Sequence, residues 1–165
     1  MSVSQVVFII LSIAALGGAL GVVFARNLFL AALALVLSFV GVAGFYILLE
    51  AELLAMIQIL VYVGAISILI IFAIMLSRRM MSSETQPWNE QWLGAVIVAA
   101  VLFAALTFVL LRVDWPVTEA QVPADSISQL GQALVSPDFY VLPFEVASVL
   151  LLVALVGAVI IAREQ

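Results

Sequence analysis

What most constrains this chain is its set of five long apolar runs, four of which pass nineteen or more residues without a charge. These four are Val3–Ala25, Leu28–Leu49, Leu53–Leu76 and Leu93–Leu111; the fifth, Phe144–Ala162, carries one acid near its start. At about 1.5 Å per helical residue, nineteen residues reach about 28 Å, close to the roughly 30 Å hydrocarbon core of a bilayer. In lipid a backbone must satisfy its own polar groups, which leaves helices and closed barrels, and a barrel needs short segments of alternating polarity. These runs are apolar on every face. The expected fold is therefore an all-α membrane protein of five transmembrane helices, at about 3–25, 28–49, 53–76, 93–111 and 144–162. Loops at 77–92 and 112–143 complete a single membrane domain over 1–165.

Composition removes most chemical functions. Hydrophobic residues make up 67% of the chain, against roughly 45–50% in an average soluble domain. There is no Lys, and five Arg face ten acids, so no basic patch exists to hold nucleic acid. Cysteine and histidine are absent, which removes thiolate chemistry, disulfides, iron–sulfur ligation and the usual haem and zinc sites. No cofactor is expected on this chain. No basic residue precedes Arg26, and the first apolar run exceeds twenty residues, so it is expected to be a retained span and not a secretory leader.

Charges mark the connections: Arg26–Asn27, Glu50–Ala51–Glu52, Ser77–Trp92 and Arg112–Pro143. The short ones make consecutive helices neighbours. Within the last connection, SISQLGQALV (Ser126–Val135) repeats Ile127, Leu130 and Leu134 at spacings of three and four. This pattern suits a short helix on the membrane surface, with an irregular loop as the equal alternative. With the N-terminus outside, Arg26, Arg78, Arg79 and Arg163 fall in the cytoplasm and only Arg112 outside, so this orientation, with a cytoplasmic C-terminus, is expected.

Three features of the helix faces stand out. Span two places Ala31, Ala34, Ser38 and Gly41 along one side, and span one carries a GxxxG pair, Gly17 and Gly21, beside Gly18. Small residues let backbones approach closely where lipid removes the hydrophobic drive to associate. In span three, Gln58 and Tyr62 lie four apart, followed by Gly64 and Ser67. An interhelical hydrogen bond that fixes packing is one reading, with Tyr62 within reach of the Gln58 amide; a hydrated or deformable stretch is the other. Glu145 follows Pro143 closely. It is either a carboxylate in the first turn of the last helix, favoured by the helix dipole, or, if that helix starts near Phe139, an intramembrane acid.

The strings QILVYVGAISILIIFAIML (Gln58–Leu76), FEVASVLLLVALVGAVIIAR (Phe144–Arg163) and RNLFLAALALVLSFVGVAGFYILL (Arg26–Leu49) resemble the third, last and second helices of one family. It is the J-type (subunit 6) membrane subunit of the proton-pumping NADH:quinone oxidoreductase, respiratory complex I. The resemblance implies a structural and gating subunit without a redox centre, coupling quinone reduction to proton pumping, with quinone, FMN and iron–sulfur clusters held by partner subunits. It implies packing among small K-, A- and H-type subunits and antiporter-like subunits. It also implies a π-bulge at Tyr62, Val63, Gly64, Ala65 and Ile66, whose conversion to regular helix changes water access along a proton path. Gln58, Ser67 and Glu145 are candidates for that path or for polar packing, although Gln58 stands where some members carry Glu, and an amide cannot carry a proton as a carboxylate does. The expected setting is a bacterial plasma membrane, ahead of a thylakoid or organelle membrane. The alternative function is a membrane subunit of a multisubunit cation/proton antiporter, and a standalone packing protein ranks behind it.

The orientation is testable directly. A cysteine introduced at Ser82 should be labelled by an impermeant reagent from the cytoplasmic side only, and labelling from outside would invert the topology.

Overall fold

The computed structural model describes residues 2–77, 91–114, 123 and 125–163. Among them the regular structure is entirely helical: α1 (Val3–Phe24), α2 (Leu28–Leu48), α3 (Glu52–Leu76), α4 (Trp92–Arg112), α5 (Ser126–Val135) and α6 (Val141–Ala162). All but α5 are long and apolar enough to cross a membrane. Ser82 and the arginine pair Arg78 and Arg79 lie outside the described residues. The chain divides into two compact units, Met1–Thr118 and Glu119–Gln165.

The start of α1 and the two turns that follow it are written in local chemistry. Ser2 and Gln5 form a reciprocal capping box on α1: the Gln5 amide N–H donates to Ser2 Oγ at 3.3 Å, and the Ser2 N–H to Gln5 Oε1 at 3.0 Å. Asn27 Oδ1 accepts the Phe29 N–H at 2.8 Å and so starts α2 only three residues beyond the end of α1. At the end of α2 the Ala51 N–H donates to the Tyr46 carbonyl at 2.8 Å and the Glu50 N–H to the Ile47 carbonyl at 3.0 Å. That Schellman pattern needs a left-handed residue at its centre, and Glu50 takes it with φ 58°. The chain then reverses directly into α3.

α2 packs against α1 on one side and along α3 on another. The α1–α2 contact depends on missing side chains. A Cβ on Gly18 would lie 2.5 Å from the Ser38 amide nitrogen, and one on Gly41 would lie 2.6 Å from the Ala15 nitrogen. Gly21 sits against the Ala34 methyl, and Ser38 Oγ donates to the Ala15 carbonyl at 3.0 Å. Phe8 and Phe45 close one end edge-to-face at 5.4 Å. Ala34, Ser38 and Gly41 therefore form the seam that their spacing indicated. Gly17 does not join it: a Cβ there would meet open space, because the residue that faces α2 with Gly21 is Gly18, one position on. α4 buries no residue within this chain; Arg112 at its C-terminal end complements the helix dipole, its guanidinium 5.1 Å from the centre of the Phe108 ring.

In the second unit α5 does form a helix, and α6 begins at Val141, three residues before the expected start at Phe144. Pro143 is accommodated because the first turn of a helix needs no N–H from its third residue, and the Phe144 N–H makes the first bond, to the Tyr140 carbonyl at 3.1 Å. Glu145 is thus the fifth residue of α6. It lies past the first turn and exposed on the surface of its unit, which corrects the first-turn reading.

Gly18→Leu and Gly41→Leu should each destabilise the α1–α2 pair by about 1–3 kcal/mol or more, since overpacking meets backbone. Both should lower the yield of folded protein extracted from membranes, whereas Gly17→Leu should extract at the wild-type level.

Candidate functional site

The middle of α3 is not an α-helix. Residues Gln58–Ile66 form a π-helix, flanked by regular turns at Glu52–Ile57 and Ser67–Leu76. All five residues Tyr62, Val63, Gly64, Ala65 and Ile66 lie in it, and Gln58 opens it. π-Turns bond each N–H five residues back, and they are strained enough to occur mostly as short defects at functional sites.

Two local features fit the wide turn. Gly64 leaves the Ile59 carbonyl oxygen clear, whereas a Cβ there would lie 3.3 Å from it, tighter than ordinary packing. Ser67 caps the segment: its N–H is shared between the Gly64 and Tyr62 carbonyls, three and five residues back, and its hydroxyl donates to the Tyr62 oxygen at 2.7 Å. Hydroxyls in helices usually reach back four residues. Here the five-residue reach reinforces the π pattern.

Three side chains connect this segment to α2 or to the interior. Gln58, 7% exposed, donates its amide Nε2 to the Phe39 carbonyl on α2 over a long 3.5 Å. The Tyr62 ring meets the Phe39 ring edge-to-face at 5.5 Å and 72°. Ser67 is 2% exposed. Gln58 thus reaches the α2 backbone and not Tyr62; among the described residues the Tyr62 hydroxyl has no hydrogen-bond partner. Phe39, which holds Gln58 through its carbonyl and Tyr62 through its ring, could not be singled out from the sequence. It is one phenylalanine in a wholly apolar span.

The stretch has amide, phenol and hydroxyl groups but no carboxylate, so it can relay a proton only with water as carrier. Among the described residues no three His, Cys, Asp or Glu side chains converge as metal ligands. Glu145, the remaining sequence candidate, belongs to the other unit.

The architecture defines a multi-pass helical membrane protein with a π-helical break in its third span. Residues 18–161 match the family NADH-ubiquinone/plastoquinone oxidoreductase chain 6. The chain is 41% identical to NAD(P)H-quinone oxidoreductase chain 6 of Synechocystis sp., across 99% of this chain and 82% of that protein. It is 39% identical to the protein of the same name from Leptolyngbya boryana, across 99% and 81%. With NAD(P)H-quinone oxidoreductase subunit 6, chloroplastic, of Anthoceros angustus it shares 36% identity, across 98% and 84%. The chain belongs to the NADH-quinone oxidoreductase chain 6 family.

If the Ser67 hydroxyl stabilises the wide turn, Ser67→Ala should remove about 0.5–1.5 kcal/mol from it, the usual worth of one such bond. Hydrogen–deuterium exchange in the peptide covering 58–67 should then quicken by up to about tenfold. Unchanged exchange would mean that the hydroxyl only fills space.

Proposed function

We propose that this chain is a non-redox coupling subunit of a proton-translocating NAD(P)H:quinone oxidoreductase. Its π-helix converts reversibly to regular helix as quinone is reduced in a partner subunit. The observation that carries this reading is the π-helix at Gln58–Ile66, closed by Ser67 on the Tyr62 carbonyl. The absence of Cys and His supports the assignment of FMN, iron–sulfur clusters and quinone binding to partners. Those partners, on this reading, are the small K-, A- and H-type and the antiporter-like membrane subunits, among which both units of this chain form one membrane domain. The relatives' names favour an oxidoreductase over a cation/proton antiporter.

Helix phase shows what conversion would do. Gln58 and Ser67 are nine residues apart and both buried. In a regular helix nine residues make about 900°, which is half a turn out of phase. Removing the π register would therefore swing Ser67–Leu76 about its axis and carry the Ser67 hydroxyl away from the buried side. Polar groups would be exchanged for apolar ones beside α2, and the wetting of the segment would change with them.

Gly64 tests the reading. In the π form any Cβ at this position crowds the Ile59 carbonyl, and a β-branched side chain adds the restriction of its own χ1. Gly64→Val should bias α3 towards regular helix, leave the complex assembled, and lower coupled turnover. The measurement is quinone reductase activity with proton uptake in membranes holding equal amounts of complex. Normal rate and normal proton-to-electron ratio would reduce α3 to scaffold. Fractionation of plasma membrane from thylakoid, followed with an antibody to this chain, locates the complex; co-purification of iron–sulfur subunits distinguishes it from an antiporter.

A further inference from the structure

The second unit holds a short helix that the coupling reading leaves without a role. On α5, Ile127, Leu130 and Leu134 share one side, while Ser128, Gln129 and Gln132 occupy the other. The flanking Asp125 falls on the polar side and accepts from Gln129 Nε2 at 2.9 Å. Ile127 is 47% exposed and Leu130 40%, while Leu134 is half-buried towards the end that meets α6. The corner between the two helices is bonded: the Tyr140 N–H donates to the Ala133 carbonyl at 3.0 Å, and the Phe139 N–H to the Ser136 carbonyl at 3.2 Å. Phe139 and Tyr140, their ring centroids 6.5 Å apart, stand exposed where α6 begins.

We propose that α5 lies flat in the lipid–water boundary at the start of α6. Ile127 and Leu130 enter the acyl region, and Phe139 and Tyr140 sit at headgroup level. Continuity with α6 identifies lipid as the occupant. Apart from Glu145 and Ser148, the sides of α6 are apolar and largely exposed from Leu142 onward, and the 136–140 connection joins the α5 stripe to them. Aromatic pairs at the end of a span belong at that boundary.

Charge makes the proposal specific. Interfacial helices commonly carry Lys and Arg that hold anionic headgroups. α5 has no charged residue, and its flanks, Asp125 and Asp138, are acidic. Its attachment therefore rests on apolar burial and on hydroxyl and amide contacts, suits uncharged or zwitterionic headgroups, and is insensitive to salt.

The test uses the assembled complex in phosphatidylcholine bilayers, with Ile127→Cys, Leu130→Cys, Ser128→Cys and Gln132→Cys made one at a time. The chain has no cysteine of its own, so label on its electrophoretic band reports the introduced residue. A water-soluble maleimide should react about tenfold or more slowly at 127 and 130 than at 128 and 132, at low and high salt alike. In the unsubstituted chain, a diazirine carried on a lipid acyl chain should mark Ile127 and Leu130. Equal, fast labelling at all four positions would make α5 a solvated helix and overturn the proposal. Protection without lipid adducts, in a sample whose α6 is marked, would assign the stripe to a partner protein and overturn it too. Protection lost at high salt would overturn the charge-independent attachment.

Discussion

In lipid, no water waits to take up a backbone N–H or C=O that a helix releases. The rest of this structure depends on that constraint. It explains how α3 can depart from the α pattern inside the membrane at all. A π-turn keeps its N–H groups bonded, five residues back, so the defect changes register without freeing a donor. A kink or an unwound turn at the same depth would need outside partners.

The same solvent removes the hydrophobic drive between helices, so contact has to come from shape and from a few polar bonds. At the α1–α2 seam, Gly18 and Gly41 bring backbone against backbone, and Ser38 adds one bond across it. α2 is thereby held firmly on one side, and its other contacts bear on the segment that departs from the α pattern. Phe39 grips Gln58 and Tyr62, four residues apart, at the beginning of the π-helix, whereas its far end closes on its own Tyr62 carbonyl through Ser67. Anchorage at the beginning and internal closure at the end would let the C-terminal half of α3 turn while the N-terminal half stays seated.

The spans were legible in the sequence because lipid demands length and apolarity together, and both show in a simple run of residues. The seam was half legible. Ala34, Ser38 and Gly41 were found by spacing, but GxxxG drew attention to Gly17, when the face presented to α2 is set by Gly18 and Gly21. A motif fixes a spacing and leaves open which of two adjacent glycines faces the neighbour. The sequence places the start of α6 three residues late because Pro143 looks like a boundary, although a proline at the third position of a helix costs it no bond. Phe39 carries no sequence signal, since its importance lies in a carbonyl and a ring edge that any apolar span could offer.

The π stretch itself shows why residue chemistry alone could not specify it. Gln58, Tyr62, Gly64 and Ser67 drew notice as polar or small residues in an apolar span, and in a regular helix Gln58 and Ser67 would lie on opposite faces. Ser67 would then bond a carbonyl four residues back on its own helix, on the face turned away from Gln58. The π register brings both to buried positions, where Gln58 uses the α2 backbone and Ser67 its own. The wide turn thus brings both groups to buried positions, while its strained geometry opposes it. On the coupling reading, such a segment would be tipped by a change in its surroundings that is too small to unfold a helix.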